Sequence, residues 1–278
     1  MGKAIHLNLD NAWPAGALPF ATLDAAGWGP RLRFSAPARL IEEFYREAPR
    51  EPFLLYGSGD YHQHTALRVL RIAEPFVLVS FDNHPDWDVR PPRWACGGWV
   101  NRALELTLIK KISVWGCGNL ECWWPRQIFG NRRAERKGRL EVYPWADGRS
   151  TSDQDRRGAI LRANWRERFS EFVRTLKGSN LYVTIDLDCL RAEEAVTNWE
   201  SGRFTVEDVA WALAQLRGSG ARIVAGDICG AFSPPVYARR KQRFVAEMDH
   251  PQLPVGDLEA ATKINLRAFE ALWPLLSE

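Results

Sequence analysis

The sequence lacks any apolar stretch approaching the roughly 18 residues that a membrane-spanning helix needs. Its first residues, Met-Gly-Lys-Ala-Ile-His, contain no apolar secretory segment either. Cysteine is also scarce, since the chain has five, an odd number without the paired spacing of a zinc site. We therefore expect a cytoplasmic protein with no membrane partner, whose cysteines are reduced and mostly buried.

Neither sign of charge is in large excess, because 37 Lys and Arg residues and 34 Asp and Glu residues leave a net charge of +3. Basic clusters occur at 132–133 and 239–241, but such clusters are usually solvated faces, and no recognisable nucleic-acid-binding module accompanies them. We expect no nucleic-acid partner. The 278 residues suit one large domain and no linker or repeat divides them, so a single domain over 1–278 is predicted.

Apolar runs typical of strands alternate with segments of helical periodicity. This pattern predicts an α/β fold, a three-layer α/β/α sandwich with a mostly parallel central sheet. Ser35 is expected to cap one helix, and Thr205 with Asp208 another. Strands are expected near residues 3–9, 53–57, 76–82, 111–116, 140–143, 181–187 and 222–228. Helical spacing also covers about 154–176 and 257–274. The least regular segments are 86–97, 118–138 and 231–256.

Polar side chains of the kinds that bind metal ions follow three of the predicted strands. Two strand ends carry acidic residues and a histidine, and the turn 57–65 after a third strand carries two histidines. The strand-end residues are Asp82, His84, Asp86, Asp186 and Asp188. Because side chains alternate faces along a strand, residues two apart, such as Asp186 and Asp188, project together.

Each of these features has an ordinary explanation when it is taken singly, because aspartates often cap helices and a Gly-Ser-Gly turn is common. Together they would gather so many like charges that a cation is needed. Carboxylate and imidazole ligands without thiolates favour manganese- or iron-type ions. Five or six ligands exceed what one catalytic zinc uses, and an aspartate can bridge two ions, so two metal ions are predicted.

These three motifs resemble those of the ureohydrolases (arginase, agmatinase and formimidoylglutamase). Residues 82–86, Asp-Asn-His-Pro-Asp, are similar to the family's Asp-Ala-His-x-Asp motif, and residues 184–188, Thr-Ile-Asp-Leu-Asp, are similar to its Ser-x-Asp-x-Asp motif. The turn at Gly57 is similar to the Gly-Gly-Asp-His motif, and the match extends over about residues 50–230. The resemblance implies an arginase-like fold that holds two Mn²⁺ ions.

The resemblance also implies which residues hold the ions. The implied metal ligands are His62, Asp82, His84, Asp86, Asp186 and Asp188. Two of the aspartates, Asp82 and Asp186, would bridge the ions. The turn has one residue more than the family's motif, so His62 is favoured as the ligand from the turn and His64 remains the alternative.

The implied reaction is hydrolysis of a guanidino group to urea and an amine by a water that the ions activate. Asp86 would take a proton from this water and pass it to the departing amine. His64 and His250 are further candidate catalytic residues. Candidate substrate-binding residues are Asp60, Trp94, Trp99, Asn198, Trp199 and Glu200.

Two departures from the family's motifs leave the substrate open. Residues 95–99 read Ala-Cys-Gly-Gly-Trp where arginases and agmatinases have a His-Gly pair for proton transfer, and 227–231 lack the glutamate with which relatives bind the guanidinium. Candidate replacements are His250, Glu247, Glu200 and Asp249. The variant pattern resembles a short arginase-like branch that includes peptide arginases, which convert arginine residues in peptides to ornithine. An arginine-containing peptide, held in a tryptophan-lined cleft, is therefore the favoured substrate.

Three other interpretations stay open. One is an agmatinase- or formimidoylglutamase-like hydrolase of a small guanidino or formimino compound. Another is a single-zinc deacetylase, since the arginase-like fold also hosts such enzymes. The third is a catalytically silent protein that binds a peptide or RNA through its basic, tryptophan-rich surface. Because relatives are often trimers or hexamers, the resemblance also allows a homo-oligomer.

Overall fold

An eight-stranded parallel sheet lies at the centre of this computed structural model, which describes residues 3–251 and 256–278. The strands are β1 (Ala4–Asn8), β2 (Thr22–Asp24), β3 (Phe53–Leu55), β4 (Phe76–Phe81), β5 (Ile109–Cys117), β6 (Leu140–Pro144), β7 (Asn180–Asp186) and β8 (Arg222–Cys229). Their spatial order is β2-β1-β3-β8-β7-β4-β5-β6. All seven predicted strands are present. The sequence does not predict β2, because its three residues are exposed at the sheet edge and show no apolar pattern.

Helices cover both faces of the sheet. They are α1 (Gly29–Leu32), α2 (Ala38–Glu47), α3 (Gln63–Arg68), α4 (Trp99–Ala103), α5 (Arg132–Arg136), α6 (Thr151–Gln154), α7 (Trp165–Arg174), α8 (Val206–Gly218), α9 (Arg240–Asp249) and α10 (Leu258–Ser277). Alternate residues of β4 enter different layers of the core: Val77 and Val79 pack in the cluster formed by α7, α8 and α10, whereas Phe76 and Leu78 pack with α3 and α4. The predicted three-layer α/β/α sandwich is confirmed.

Several local predictions are confirmed and others are wrong. Thr205 and Asp208 form a capping box at the start of α8, but Ser35 caps no helix, since α2 begins after Pro37 without a side-chain cap. The helix expected over 154–176 covers only α7, because Ile160 pairs with Trp145 as an extended bridge.

Two segments expected to be irregular contain helices. Helix α9 lies within 231–256, of which 252–255 fall outside the described residues, and α5 lies within 118–138. The last helix, α10, continues through Pro274 to Ser277. The five cysteines are free and buried, as predicted. Among the residues that the structure describes, no helix combines the length and the apolar character required to cross a membrane.

Candidate metal centre

Sheet topology brings the predicted polar segments to one place. Strands β3, β8, β7 and β4 are neighbours in the sheet and run parallel, so their carboxyl ends share one edge. Asp82 follows β4, Asp186 ends β7, and His62 follows a short 3₁₀ turn, Gly59–Tyr61, just beyond β3. Crevices at such carboxyl edges are where α/β proteins bind ligands.

Two sets of metal-binding side chains meet at this edge and share Asp82. One set is His62, Asp82 and Asp86, and the other is Asp82, His84 and Asp188; the donor atoms of each set lie within 4.8 Å of one another. A third set joins Asp186 to His62 and Cys229. The structure thus brings together all six of the predicted metal ligands.

Individual distances show how closely the polar atoms are packed. The Nδ1 atom of His62 lies 3.2 Å from Asp82 Oδ2, 3.3 Å from Asp86 Oδ2 and 3.5 Å from Asp186 Oδ2. On the other side of Asp82, His84 Nδ1 lies 2.8 Å from Asp188 Oδ2. Within each set the carboxylate oxygens also lie within 4.8 Å of one another, and like charges this close repel strongly in a buried site unless positive charge lies among them.

The close packing of acidic groups also shifts the pKa values of the cluster. Burial raises the pKa of Asp82 well above its usual range, and the charges of Asp86 and Asp188 raise it further. Burial and Asp188 raise the pKa of Asp186 to about 7. Burial opposes protonation of His62, but contacts with Asp82 and Asp86 outweigh it, so the pKa of His62 lies well above its ordinary value.

Two of these atoms also lack a hydrogen-bond partner among the residues that the structure describes. They are His62 Nδ1 and Asp82 Oδ2, both fully buried at the centre of the cluster. Buried polar atoms are normally satisfied, and an unpaired pair such as this one calls for an ion or a water. Carboxylate oxygens and imidazole nitrogens are suitable ligands for a divalent cation of the manganese type, so the residues present fit such ions.

The far side of the His62 ring is held by a hydrogen-bonded relay. Its Nε2 lies 2.9 Å from the Thr184 hydroxyl, and that hydroxyl donates to Asp227. Asp227 is fully buried on β8, where burial raises its pKa and hydroxyl donors such as Thr65 and Tyr182 counter the increase. Because the Thr184 hydroxyl uses its hydrogen in the bond to Asp227, its oxygen accepts a hydrogen bond from His62 Nε2–H. The other ring nitrogen, Nδ1, then faces the carboxylates.

Asp86 is positioned by an unusual backbone and by Trp99. Its φ of +46° lies in the left-handed region, which a residue other than glycine rarely adopts. The indole Nε1 of Trp99 donates to Asp86 Oδ2 at 2.6 Å. The Trp99 ring is completely buried, 4.7 Å from the His62 ring. The prediction that Trp99 lines a substrate cleft is therefore wrong, because its buried ring contacts His62 and its indole N–H orients Asp86.

His64 lies outside the cluster. Its ring packs among the rings of Phe44, Tyr56 and Tyr61, and neither of its buried nitrogens has a hydrogen-bond partner within residues 3–251 and 256–278. Its position therefore corrects the prediction that it is a catalytic residue or the alternative ligand. Trp94 is also misassigned, since it packs against the core clusters beneath the loops and lines none of the cavities near the centre.

Asp60 is committed to a buried ion pair and is not free to bind substrate. Its two oxygens accept from Arg33 Nε at 2.6 Å and contact His250 Nε2 at 2.7 Å. Burial opposes ionisation of Asp60, but Arg33 and His250 hold its pKa below the usual value. Asn198 belongs to the same network, because it accepts from Arg33 and donates to the Ser233 carbonyl. Both substrate-binding predictions are corrected by these contacts.

His250 faces a cavity beside the metal centre, not the centre itself. The ring of Trp199 packs against both histidines, 4.5 Å from the His250 ring and 5.2 Å from the His84 ring. His250 Nε2 contacts Asp60, and the cavity that His250 lines includes none of the proposed metal ligands. The predicted catalytic role of His250 thus has no support from its position. Trp199 itself lines the small cavity at the centre, as predicted, and Glu200 contacts His84 Nε2 at 3.2 Å, which lowers the pKa of Glu200.

A cavity of about 30 Å³ lies directly over the cluster, and Glu121 is a residue of its wall that the sequence reasoning misses. This cavity adjoins two larger ones, of about 280 and 350 Å³, and both Glu121 and Asp249 line all three. Burial raises the pKa of Glu121 to about 7. Glu121 follows the carboxyl end of β5, which pairs with β4. This position after a strand next to β4 is the feature of the sequence that could have indicated Glu121.

No family model matches the chain. An uncharacterised protein of Thermotoga maritima is 28% identical over 180 residues, or 64% of this chain, and the match spans only 57% of that relative's length. A Clostridium difficile protein provisionally named an agmatinase has a TM-score of 0.60 at 16% identity, with 99% of this chain and 97% of the other covered. The chain has the arginase-like fold.

Two further solved structures share this fold. An arginase from Bacillus subtilis has a TM-score of 0.52 at 14% identity, covering 99% of this chain and 98% of the other. A Trypanosoma cruzi formiminoglutamase variant with Mn²⁺ has a TM-score of 0.51 at 14% identity, covering 96% and 92%. At these identities the likeness shows the fold, and it agrees with the architecture that the motifs imply.

Proposed function

We propose that this protein is a two-metal hydrolase that removes the amidino group of a guanidino compound. The observation that carries the proposal is the pair of donor sets that share Asp82 at the carboxyl edge of the sheet. The proposed ligands are His62, Asp82, His84, Asp86, Asp186 and Asp188. Manganese is the proposed metal, since the donors are carboxylates and imidazoles, and the formiminoglutamase variant of the same fold was solved with Mn²⁺.

When bound, two divalent cations would supply the positive charge that activates water near neutral pH. The side chains divide the remaining tasks. Asp86 takes a proton from the attacking water and delivers it to the departing nitrogen, so the guanidino carbon gains oxygen, its bond to the substrate nitrogen breaks, and urea and an amine leave. Trp99 holds Asp86 in place for this transfer, and Thr184 fixes the His62 ring.

The proposed substrate is an arginine side chain within a peptide. The small cavity leads into two open cavities, and the exposed apolar side chains of Leu120 and Phe129 line one each. Exposed apolar residues beside a site are typical of surfaces that receive another chain. Free arginine is the second candidate, because exposed Arg126 lines both openings and is a suitable partner for an α-carboxylate.

The decisive experiment strips the protein of metal, reloads it with Mn²⁺ or Zn²⁺, and measures urea release. Substrates would be free arginine, agmatine and an arginine-containing peptide with blocked ends, and mass spectrometry would detect the loss of CH₂N₂ from the peptide. We expect turnover with Mn²⁺, two ions per chain, and preference for the peptide. Preference for free arginine that is lost in Arg126→Ala would support the second candidate.

Matched carboxamide variants test the assigned chemistry. Asp86→Asn should lose essentially all turnover, whereas Asp24→Asn, on the exposed edge strand β2, should keep it. Urea release by Asp86→Asn at the wild-type rate would refute the mechanism. One zinc per chain with amide hydrolysis would instead support a deacetylase, and no urea from any guanidino compound would support a binding protein.

A further inference from the structure

The small cavity over the metal centre is suited to a cation. Its described lining holds six carboxylates and one imidazole, and no lysine or arginine side chain. On the proposed function, on which this inference rests, four of these carboxylates are ligands, and two divalent cations balance their charge. Glu121 and Asp249 then remain as an excess of acidic groups facing the cavity. Such an excess attracts a positively charged group.

The carboxylate that binds the substrate cation cannot come from the segment after Asp227, where the family resemblance would place it. Three residues after Asp227, relatives carry a glutamate, and this chain carries Gly230. Gly230 has a φ of +100°, and a Cβ there would lie 2.2 Å from Asp186 Oδ1 and 2.5 Å from the Leu187 nitrogen. Any side chain at this position would displace a proposed metal ligand, so the partner of the substrate cation lies elsewhere.

Glu121 meets the requirements better than the other acidic residues near the centre. Its carboxylate makes no hydrogen bond or ion pair within the described residues, whereas Glu200 contacts His84 and Glu247 pairs with Arg243 on the surface. Asp249 lies exposed at the end of α9. The backbone of Glu121 is fixed, because its N–H donates to Asn119 at the start of a 3₁₀ turn.

We propose that Glu121 binds the guanidinium of the substrate and so determines specificity for guanidino compounds. A carboxylate and a guanidinium match as two parallel N–H to oxygen hydrogen bonds, which fix orientation as well as charge. Glu121 holds the amidino group against the centre, and it takes no part in proton transfer. It is therefore a substrate-binding residue contributed by the loop after β5.

Glu121→Gln tests this assignment, with Glu105→Gln as the matched control because Glu105 pairs with Arg93 on the surface. We expect Glu121→Gln to keep two Mn²⁺ ions and the wild-type melting temperature. It should lower kcat/KM for agmatine and for the arginine peptide by about 10- to 100-fold, mainly through KM, as expected for loss of a hydrogen bond between charged groups. Glu105→Gln should behave as the wild type.

Calorimetric binding of agmatine to the Mn²⁺-loaded protein separates this inference from the proposed function. Agmatine binding that is weakened by Glu121→Gln and unchanged by Glu105→Gln supports the inference even if the wild type releases no urea, which would refute only the proposed function. If Glu121→Gln kept the wild-type kcat/KM and the wild-type affinity for agmatine, the inference would be overturned and the proposed hydrolase function would stand. Loss of bound Mn²⁺ in Glu121→Gln would also overturn the inference, since Glu121 would then serve the metals.

Discussion

Replacing Thr184 with valine should weaken metal binding without unfolding the protein. The Thr184 hydroxyl lies 2.9 Å from His62 Nε2 and donates to Asp227. Valine has nearly the same shape but no hydroxyl, so His62 would lose the acceptor that fixes its ring and its tautomer. Losses of this kind reduce metal affinity by about 10- to 100-fold, which corresponds to about 1.4–2.8 kcal/mol.

Thr65→Val provides the matched control for this prediction. Thr65 is equally buried and its hydroxyl donates to Asp227 at 3.0 Å, but that hydroxyl does not bond to the His62 ring. Both variants remove one donor from Asp227, so their melting temperatures should fall by similar amounts. Titration calorimetry of the metal-stripped proteins with Mn²⁺ should show weaker binding for Thr184→Val alone, and equal affinities in the two variants would refute the relay.

Three more experiments test separate parts of the structure. His62→Phe should lose at least one Mn²⁺ per chain by elemental analysis, whereas His64→Phe should keep both ions, because His64 packs against the rings of Phe44 and Tyr61 and not in the metal cluster. Trp99→Phe removes a buried hydrogen bond to Asp86, so kcat/KM should fall by about 10- to 100-fold at unchanged metal content. Burial lowers the pKa of His6 from 6.5 to about 4, so the contribution of neutral His6 to the free energy of unfolding is fully present above pH 6.5 and is lost as the pH falls towards 4. At pH 5 the loss is about 2 kcal/mol. Urea unfolding should show this loss in the wild type and not in His6→Gln.

Sequence patterns predict the sheet well because its strands are buried on both faces. Every residue of β4 is buried and apolar apart from Ser80, and such runs, separated by helical segments, are typical of a parallel sheet. The exposed edge strand β2 has no such signal. The helix expected over 154–176 is too long for a related reason: Ile160 fits the helical period, but it is buried by pairing with Trp145 instead.

The proposed metal ligands could be predicted because they occur in short motifs, each of which directly follows a predicted strand. Asp186 and Asp188 lie close together because a 3₁₀ turn follows β7 and the Asp188 N–H donates to Asp186 Oδ1, and parallel pairing of β7 with β4 brings Asp188 beside Asp82. The roles of other residues depend on contacts between distant segments. Nothing in the sequence indicates that Arg33 would occupy both Asp60 and Asn198, because these residues meet only through folding of the loops.

In the proposed metal centre, protons and metal ions would compete for the same atoms. Burial and Asp188 raise the pKa of Asp186 to about 7, and the carboxylates raise the pKa of His62, so without cations the centre relieves its repulsion by taking up protons. A ligand must lose its proton before it can bind a metal, so each binding event releases protons and metal affinity rises with pH. The cluster is therefore not a stable arrangement of charges by itself. Its close packing of Asp82 against Asp86 and Asp188 is favourable in a neutral protein interior only when divalent cations replace the protons.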